Sequence, residues 1–139
     1  TNCPVLVVPE EDRPVEDIIF TYDGGEEAVY AIKQFTYLLS PSVGDLHYEL
    51  LSIQPDASAS LPNESLVREY LHQHYPDINY EIKEGDKPEE ALTQHMGERP
   101  NAVLVMGSFG RNAVSRFFSA SKASGLLESK STPVFIAHR

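Results

Sequence analysis

The chain has 139 residues, enough for one domain with a buried core, and its 41% hydrophobic and 23% charged content is typical of globular proteins. Its 21 acidic side chains outnumber 11 basic ones, and the net charge of -10 argues against nucleic acid as a partner, because that binding depends on cations that neutralise phosphates. No apolar run approaches the roughly 20 residues of a membrane helix, the N-terminus lacks the features of a signal peptide, and the single cysteine excludes an internal disulfide, so we expect a cytoplasmic protein that does not bind membranes.

Short apolar runs alternate with helical patterns along the chain. The runs are bounded by glycine, proline or acidic residues, which is typical of strands that end in turns. Six strands are predicted, at residues 3–8, 17–22, 46–53, 78–82, 101–106 and 132–137. The alternation of polar and apolar residues in 78–82 predicts a half-exposed strand at a sheet edge. Four helices are predicted, over residues 26–39 and 64–75, from residue 86, and from residue 119 or 121 to about residue 129.

The predicted helices have recognisable starts and buried stripes. We place Asp86 as the N-cap of the third helix, with Glu89 in the capping-box position and Pro88 in the first turn. The residues predicted to face the core are Ala28, Ala31, Ile32, Phe35, Leu38 and Leu39 in the first helix, and Leu66, Val67, Tyr70, Leu71 and Tyr75 in the second.

Strands that alternate with helices at short spacing predict a parallel sheet with right-handed crossovers. We therefore predict a doubly wound α/β domain, an open parallel sheet with helices on both faces. Domains of this class bind their ligands beyond the carboxyl ends of the strands, at the point where the strand order reverses.

The first predicted strand has no helix before it, and therefore no parallel partner of its own. Its sequence, Cys3-Pro-Val-Leu-Val-Val8, echoes Thr132-Pro-Val-Phe-Ile-Ala137 at the end of the chain. One interpretation is that residues 1–14 are the last strand of a preceding copy of the same domain with a linker, and that residues 15–139 form the domain itself. The alternative is chance, because proline followed by aliphatic residues often opens a strand.

The stretch after the fifth strand combines glycine with positive charge. Gly107 and Gly110 follow the strand directly, and no acidic residue occurs between Glu98 and Glu128. Arg111 lies in this loop, before the start of a helix whose N–H groups favour anions. The basic residues of the segment are Arg99, Arg111, Arg116 and Lys122. The segment therefore favours a phosphate site, with a solvated turn as the alternative.

The same residues resemble a known family. Gly107-x-x-Gly110, nine further residues and then Ala120-Ser121 resemble the nucleotide loop of the universal stress protein family, Gly-x2-Gly-x9-Gly-Ser/Thr. The resemblance implies strand order 3-2-1-4-5 for residues 15–139, with an extra N-terminal strand. It also implies binding of ATP, with Mg²⁺, in which Asp23 lies against the nucleoside while Gly107, Gly110 and Ser121 hold the phosphates; Arg111 and Ala120 are further candidate residues of this site.

Ala120 stands where the family has a third glycine, and this departure bears on binding. A Cβ there would intrude if the backbone must approach a phosphate closely. If the backbone needs a positive φ, alanine costs about 1 kcal/mol or more. Alanine retains its N–H and suits a helix, so binding in a weakened form is compatible with it.

Other chemistries lack their motifs. The first loop, Asp23-Gly-Gly-Glu-Glu27, is not a dinucleotide fingerprint, and its carboxylates would repel phosphate but could accept hydrogen bonds from sugar hydroxyls or a base edge. Asp23 could equally be a helix N-cap or a turn residue. The histidines show no metal-binding spacing, and no serine lies in a Gly-x-Ser-x-Gly elbow. We therefore predict no catalytic residues and no metal site.

Two functions of different classes follow. The first is an adenine-nucleotide-binding stress-response domain without dedicated catalysis. The second is a family member that binds no nucleotide and acts as a dimerising interaction or scaffold module. A nucleotide hydrolase is the third and least supported, because no general base is evident.

Assembly is predicted through the last strand. In the family, the last strands of two domains pair antiparallel, so we expect a homodimer or pairing with a second universal stress domain. We expect residues 3–8 to pair along 133–137, in the same chain or exchanged into a second copy. The linker 9–16 is short, which favours exchange.

Overall fold

A six-stranded sheet forms the centre of the protein. The computed structural model describes residues 4–8, 14–39, 46–56, 60–107 and 132–137. Within these ranges the strands are β1 (Val5–Val7), β2 (Asp17–Thr21), β3 (His47–Gln54), β4 (Asn79–Glu84), β5 (Ala102–Gly107) and β6 (Val134–Ala137). The helices are α1 (Glu26–Leu38), α2 (Glu64–His74) and α3 (Pro88–Gly97). The helix predicted after β5 lies outside the described residues.

The strands lie in the order β1-β6-β5-β2-β3-β4. All neighbouring pairs from β6 to β4 are parallel, and β1 alone pairs antiparallel, with β6. Counted from β2 onward, this is the predicted order 3-2-1-4-5 with an extra strand at one edge. The chain runs from β2 outward to β4 and then returns to the other side of β2 as β5. The strand order therefore reverses between β2 and β5.

Helices cover both faces of the sheet, as predicted for a doubly wound domain. Ile18 and Phe20 of β2 point to the face that α1 and α2 cover. Ile19 points to the opposite face, where Leu92 and Met96 of α3 cover it. Because successive residues of a strand point to opposite faces, a strand covered on both sides reads as a continuous apolar run.

Aromatic rings fill the core under α1 and α2. The ring of Phe20 lies 5.6 Å from that of Phe35 in an edge-on arrangement and 5.3 Å from that of Tyr75. Phe35 in turn meets Phe135 of β6 at 5.5 Å. Edge-on aromatic pairs contribute roughly 0.5–1.5 kcal/mol beyond burial alone. These contacts fix α1 against the strands whose carboxyl ends carry the candidate site.

The N-terminal strand pairs along the last strand of its own chain. Val5, Leu6 and Val7 lie opposite Ile136, Phe135 and Val134. The short linker favours exchange into a second copy, whereas in this structure the strand pairs within its own chain. Because β1 runs antiparallel to β6, the end of β1 and the start of β2 lie on the same side of the sheet. They are three strand spacings apart, which is about 14 Å. The nine residues between β1 and β2 can span about 30 Å when extended.

Some predicted details of the helices are wrong. The N-cap of α3 is Lys87, no side chain caps this helix, and the predicted capping box of Asp86 and Glu89 does not form. Pro88 does occupy the first turn. Leu38 and Leu66, predicted to face the core, are 48% and 68% exposed. Helix periodicity predicts which side of a helix faces the core, but the burial of residues at the margin of that side depends on the neighbouring elements.

The strand predicted at a sheet edge, β4, is half-exposed and does lie at an edge. In the described part of the chain, no helix is long and apolar enough to cross a membrane.

Candidate functional site

The loop from β2 to α1 is a tight turn held by its own side chain. Gly24 has φ +90°, which glycine adopts without strain, and a Cβ there would lie 2.6 Å from Pro62 Cβ. The Gly25 N–H donates a 2.7 Å hydrogen bond to Asp23 Oδ1. Gly25 is the N-cap residue of α1, with no side-chain cap. Asp23 is therefore a turn residue, one of the two roles weighed for it, and its exposed carboxylate also lies at the mouth of the candidate nucleotide site.

Gly107, at the end of β5, is a packing residue. It is buried, and a Cβ built on it would lie 2.8 Å from the Ala28 backbone N and closer still to the Glu27 carbonyl. The first turn of α1 therefore packs directly against the end of β5. The family motif places Gly107 beside the phosphates, and the structure gives its missing side chain a reason within the fold.

Two of the six predicted nucleotide-site residues lie at one place. β2 and β5 are parallel neighbours, so Asp23 and Gly107 both follow the carboxyl ends of adjacent strands. Thr21 ties these ends together, because its hydroxyl donates a 3.1 Å hydrogen bond to the Val105 carbonyl. The other four predicted residues, Gly110, Arg111, Ala120 and Ser121, lie outside the described residues.

The described side of this site is acidic. Asp23, Glu26 and Glu27 lie on the loop and first turn of α1. Carboxylates accept hydrogen bonds from hydroxyl and amino groups and repel phosphate. This side therefore fits the sugar or base of a nucleotide, and phosphates would have to lie across the strand-order reversal, toward the segment after Gly107.

A separate cleft of about 510 Å³ lies between α1 and α2. Its lining residues are Tyr22, Gly24, Gly25, Glu26, Val29, Tyr30, Ile32, Lys33, Asn63, Leu66, Val67, Tyr70 and Leu71. The Tyr22 hydroxyl donates a 2.6 Å hydrogen bond to the Pro62 carbonyl, which joins the β2–α1 loop to the start of α2. Sequence reasoning did not predict this cleft.

A buried polar pair lies under α3, on the opposite face of the sheet. Glu49 of β3 and His95 of α3 are 8% and 1% exposed, and His95 Nε2 lies 2.5 Å from Glu49 Oε1. An Arg99 guanidinium nitrogen lies 3.5 Å from the other carboxylate oxygen. Burial by itself would raise the pKa of Glu49, but the hydrogen bond from His95 and the charges of His95 and Arg99 outweigh burial and hold that pKa below its ordinary value.

Glu81 of β4 brings a second carboxylate close to this pair, and ligand atoms of Glu49, Glu81 and His95 lie within 4.8 Å of one another. The spacing would permit a cation. However, Arg99 already neutralises Glu49, and a metal ion would have to bind beside that guanidinium and displace the hydrogen bond from His95. The chemistry of the group is that of a buried ion pair that anchors α3 to the sheet.

Comparison with known proteins decides the family. The universal stress protein family matches residues 15–138. The chain belongs to the universal stress protein family. The match covers the strands from β2 to β6, which is the region assigned to the domain from its sequence resemblance. No curated protein sequence matches the chain significantly.

Solved universal stress proteins share the fold at low identity. A universal stress protein in complex with cAMP is 17% identical, with TM-score 0.58, and covers 91% of this chain and 99% of its own. Universal stress protein UspA from Lactobacillus plantarum is 16% identical, with TM-score 0.54, and covers 91% and 100%. A universal stress protein from Archaeoglobus fulgidus DSM 4304 is 16% identical, with TM-score 0.64, and the match covers all of this chain and 50% of that protein.

Sequence reasoning missed the Glu49–His95 pair of this universal stress domain, although a weak signal existed. In its helix, His95 lies beside the buried apolar residues Leu92 and Met96, and a histidine on a buried stripe requires a polar partner. The partner lies 46 residues earlier, on a strand whose pairing with α3 only the fold determines. The cleft left no signal in the sequence, because the residues that line it read as the core side of two amphipathic helices.

Proposed function

We propose that this universal stress domain binds an adenine nucleotide, ATP with Mg²⁺, at the carboxyl edge of the sheet. The observation that carries the proposal is the position of Asp23 and Gly107 on adjacent strands where the strand order reverses. Open α/β sheets bind ligands at this point. Family membership supports the proposal, and so does the family resemblance of Gly110 and Ser121.

The two sides of the site have complementary tasks in this proposal. The exposed Asp23 carboxylate uses Oδ1 in its turn, and the remaining lone pairs suit a ribose hydroxyl or an amino group of the base. The phosphates lie against the segment with Gly110, Arg111, Ala120 and Ser121. Gly107 itself packs against the first turn of α1.

Catalysis is not part of the proposed function. Hydrolysis of ATP needs a group that positions or deprotonates water beside the terminal phosphate. The buried His95–Glu49 pair is under α3, near the start of β3, and therefore far from the carboxyl edge.

Nucleotide binding is tested by thermal unfolding with increasing Mg-ATP. Stabilisation should grow as RT ln(1 + [L]/Kd), so ATP at 100 times Kd should add about 2.7 kcal/mol. Asp23→Ala should reduce this response, while Asp77→Ala, an exposed aspartate at the opposite edge of the sheet, should leave it unchanged. A melting temperature that stays unchanged at millimolar ATP would refute the proposal.

The absence of dedicated catalysis has its own test. Phosphate release measured over hours at saturating ATP should stay at trace levels. Sustained release that is lost in Asp23→Ala would make the protein an enzyme and overturn this part of the proposal.

A second function, that of a dimerising interaction module, is favoured by the β1 edge. Val5, Leu6, Val7 and Val8 are all exposed there, and an apolar strand at a sheet edge is a template for pairing. In this proposal the partner is a second copy or another universal stress domain, and residues 1–14 derive from a preceding domain. The match of the whole chain to half of the Archaeoglobus fulgidus protein is in keeping with such a derivation.

Sedimentation of the whole chain and of a chain without residues 1–9 tests the interaction module. Removal uncovers the backbone groups of β6, so we expect a changed oligomeric state or aggregation. An unchanged mass together with an unchanged melting temperature would show that β1 has no part in assembly. A role in a stress response is proposed from the family alone.

A further inference from the structure

The cleft between α1 and α2 is built mainly from the facing sides of these helices, and it shares only Glu26 and the two glycines of the β2–α1 loop with the carboxyl-edge site. It lies between two helices on one face of the sheet, whereas Gly107 marks the side of the β2–α1 loop that faces β5. Its volume of about 510 Å³ is within the range of roughly 300–1,000 Å³ that is common for small-molecule sites.

In the described residues, α1 and α2 both pack on the sheet, and a 2.6 Å hydrogen bond between the Thr36 and Tyr75 hydroxyls joins their far ends. The β2–α1 loop is fastened to the start of α2 by the Tyr22–Pro62 hydrogen bond, and the close packing of Gly24 on Pro62 permits no side chain there. The floor of the cleft is therefore fixed at the end where the two helices begin.

The walls of the cleft are aromatic and aliphatic. Three tyrosines, Tyr22, Tyr30 and Tyr70, line it together with Val29 and Val67. Leu66 lies at the rim with most of its side chain exposed. Burial raises the pKa of both Tyr22 and Tyr70, so these phenols stay neutral and do not repel an anion. Flat rings gain both apolar burial and ring contacts from such walls.

One cation, on the exposed side chain of Lys33, lies at the rim of this apolar cleft. The Lys33 ammonium lies over the ring of Tyr70, 5.6 Å from its centroid, which is within the range of a cation–π interaction. Lys33 is the single basic residue among the residues that line the cleft, and Glu26 is the single acidic one. A ligand with one negative charge therefore has a partner, while a triphosphate would meet one lysine and a carboxylate.

We propose that the α1–α2 cleft is a second binding site, for a small flat aromatic molecule with a single negative charge. The aromatic body lies between Tyr30, Val67 and Tyr70, and the anionic group pairs with Lys33. The proposed site differs from the carboxyl-edge site in its main walls, which α1 and α2 supply, and it shares the β2–α1 loop with that site.

The test uses two probes that share a ring system. 1-Anilinonaphthalene-8-sulfonate carries one negative charge, and N-phenyl-1-naphthylamine has the same rings without the sulfonate. On the folded wild-type chain, the sulfonate probe should bind saturably with 1:1 stoichiometry and more tightly than the neutral probe. In two-dimensional NMR, its shifts should concentrate on α1, α2 and the β2–α1 loop.

Two variants separate the walls from the charge. Val67→Trp fills the cleft and should weaken both probes at least tenfold. Lys33→Met keeps the unbranched stem, and should weaken the sulfonate probe about three- to tenfold while leaving the neutral probe unchanged. Lys87→Met, an exposed lysine beside α3, should change neither probe.

Three results would each overturn the proposal. They are non-saturable binding of the sulfonate probe, NMR shifts that spread over the whole chain, and equal losses of affinity for both probes in Lys33→Met. Displacement of the probe by Mg-ATP would also overturn it, because the cleft would then be the nucleotide site. A saturating probe response in a protein that ignores ATP would refute the proposed function and leave this site standing. The NMR map uses the wild-type chain, so the test does not depend on the folding of Val67→Trp.

Discussion

Replacement of Gly107 by alanine tests whether this glycine serves packing. A Cβ at this position would lie 2.8 Å from the Ala28 backbone N and 2.5 Å from the Glu27 carbonyl carbon. These are backbone atoms of α1, and they cannot rotate away as a flexible side chain would. Either α1 shifts as a unit or β5 bends, and overpacking of this kind costs about 1–3 kcal/mol. We expect the upper end, about 3 kcal/mol.

The magnitude converts into a measurable melting shift. For a chain of this length, 1 kcal/mol corresponds to roughly 3–4 °C, so Gly107→Ala should lower the melting temperature by about 10 °C. Gly97→Ala is the matched control, because Gly97 ends α3, has open space around it and has no positive φ. This control should be neutral or stabilising by up to about 1 kcal/mol.

The outcome also bears on the site. Differential scanning calorimetry without nucleotide should show the loss in Gly107→Ala and none in Gly97→Ala. A melting temperature within about 2 °C of wild type would refute the packing argument. If that unchanged protein also lost its response to ATP, the glycine would serve the approach of a ligand, as its sequence motif indicates.

Two further predictions concern other parts of the fold. Glu49→Gln should lower the free energy of unfolding by about 1.5–3 kcal/mol at pH 7. A carboxyl with a lowered pKa stabilises the fold only while it is ionised. The difference from wild type should therefore vanish as the pH falls below 4.5 and through the lower folded-state pKa of Glu49. Urea unfolding from pH 7 to 3 measures this, with the exposed Glu84→Gln as control; a pH-independent difference would contradict it. Gly24→Ala should lower the melting temperature by several degrees, because φ is +90° and the Cβ would lie 2.6 Å from Pro62 Cβ. In Gly85→Ala the Cβ would lie 3.1 Å from the Ala91 methyl and 3.6 Å from an Ile53 methyl, and this change should cost less. Equal melting temperatures for the two alanine variants would contradict this.

Much of the fold was predictable because its signals are local. The runs that became β2, β3, β5 and β6 are apolar and bounded by turn residues, and both faces of the sheet are covered. The edge strand β4 was predictable from its alternation of polar and apolar residues. Local signals failed where a neighbour decides the outcome. Leu66 is exposed on α2, and α3 begins at Pro88, with Lys87 as its N-cap and without the capping box that its sequence offers.

The candidate site divides in the same way. A parallel order of strands places Asp23 and Gly107 at adjacent carboxyl ends, and this follows from the sequence once the family pattern is recognised. The reason for Gly107 did not follow, since it rests on how closely α1 approaches β5. The return of β1 to its own chain was also out of reach, because it depends on the direction of the strand and on the edge where β2 begins.

Three features follow from the sequence alone, because they depend on short-range contacts and on residue spacing. They are the alternation of strands and helices, the family, and the residues that end β2 and β5. Three others depend on how the elements pack: the contact of Glu49 with His95 across 46 residues, the packing of Gly107 on the backbone of α1, and the open cleft between α1 and α2. Distances between separate elements set these features. These distances are set when whole helices pack on the sheet, and the residue pattern of a single segment does not specify them.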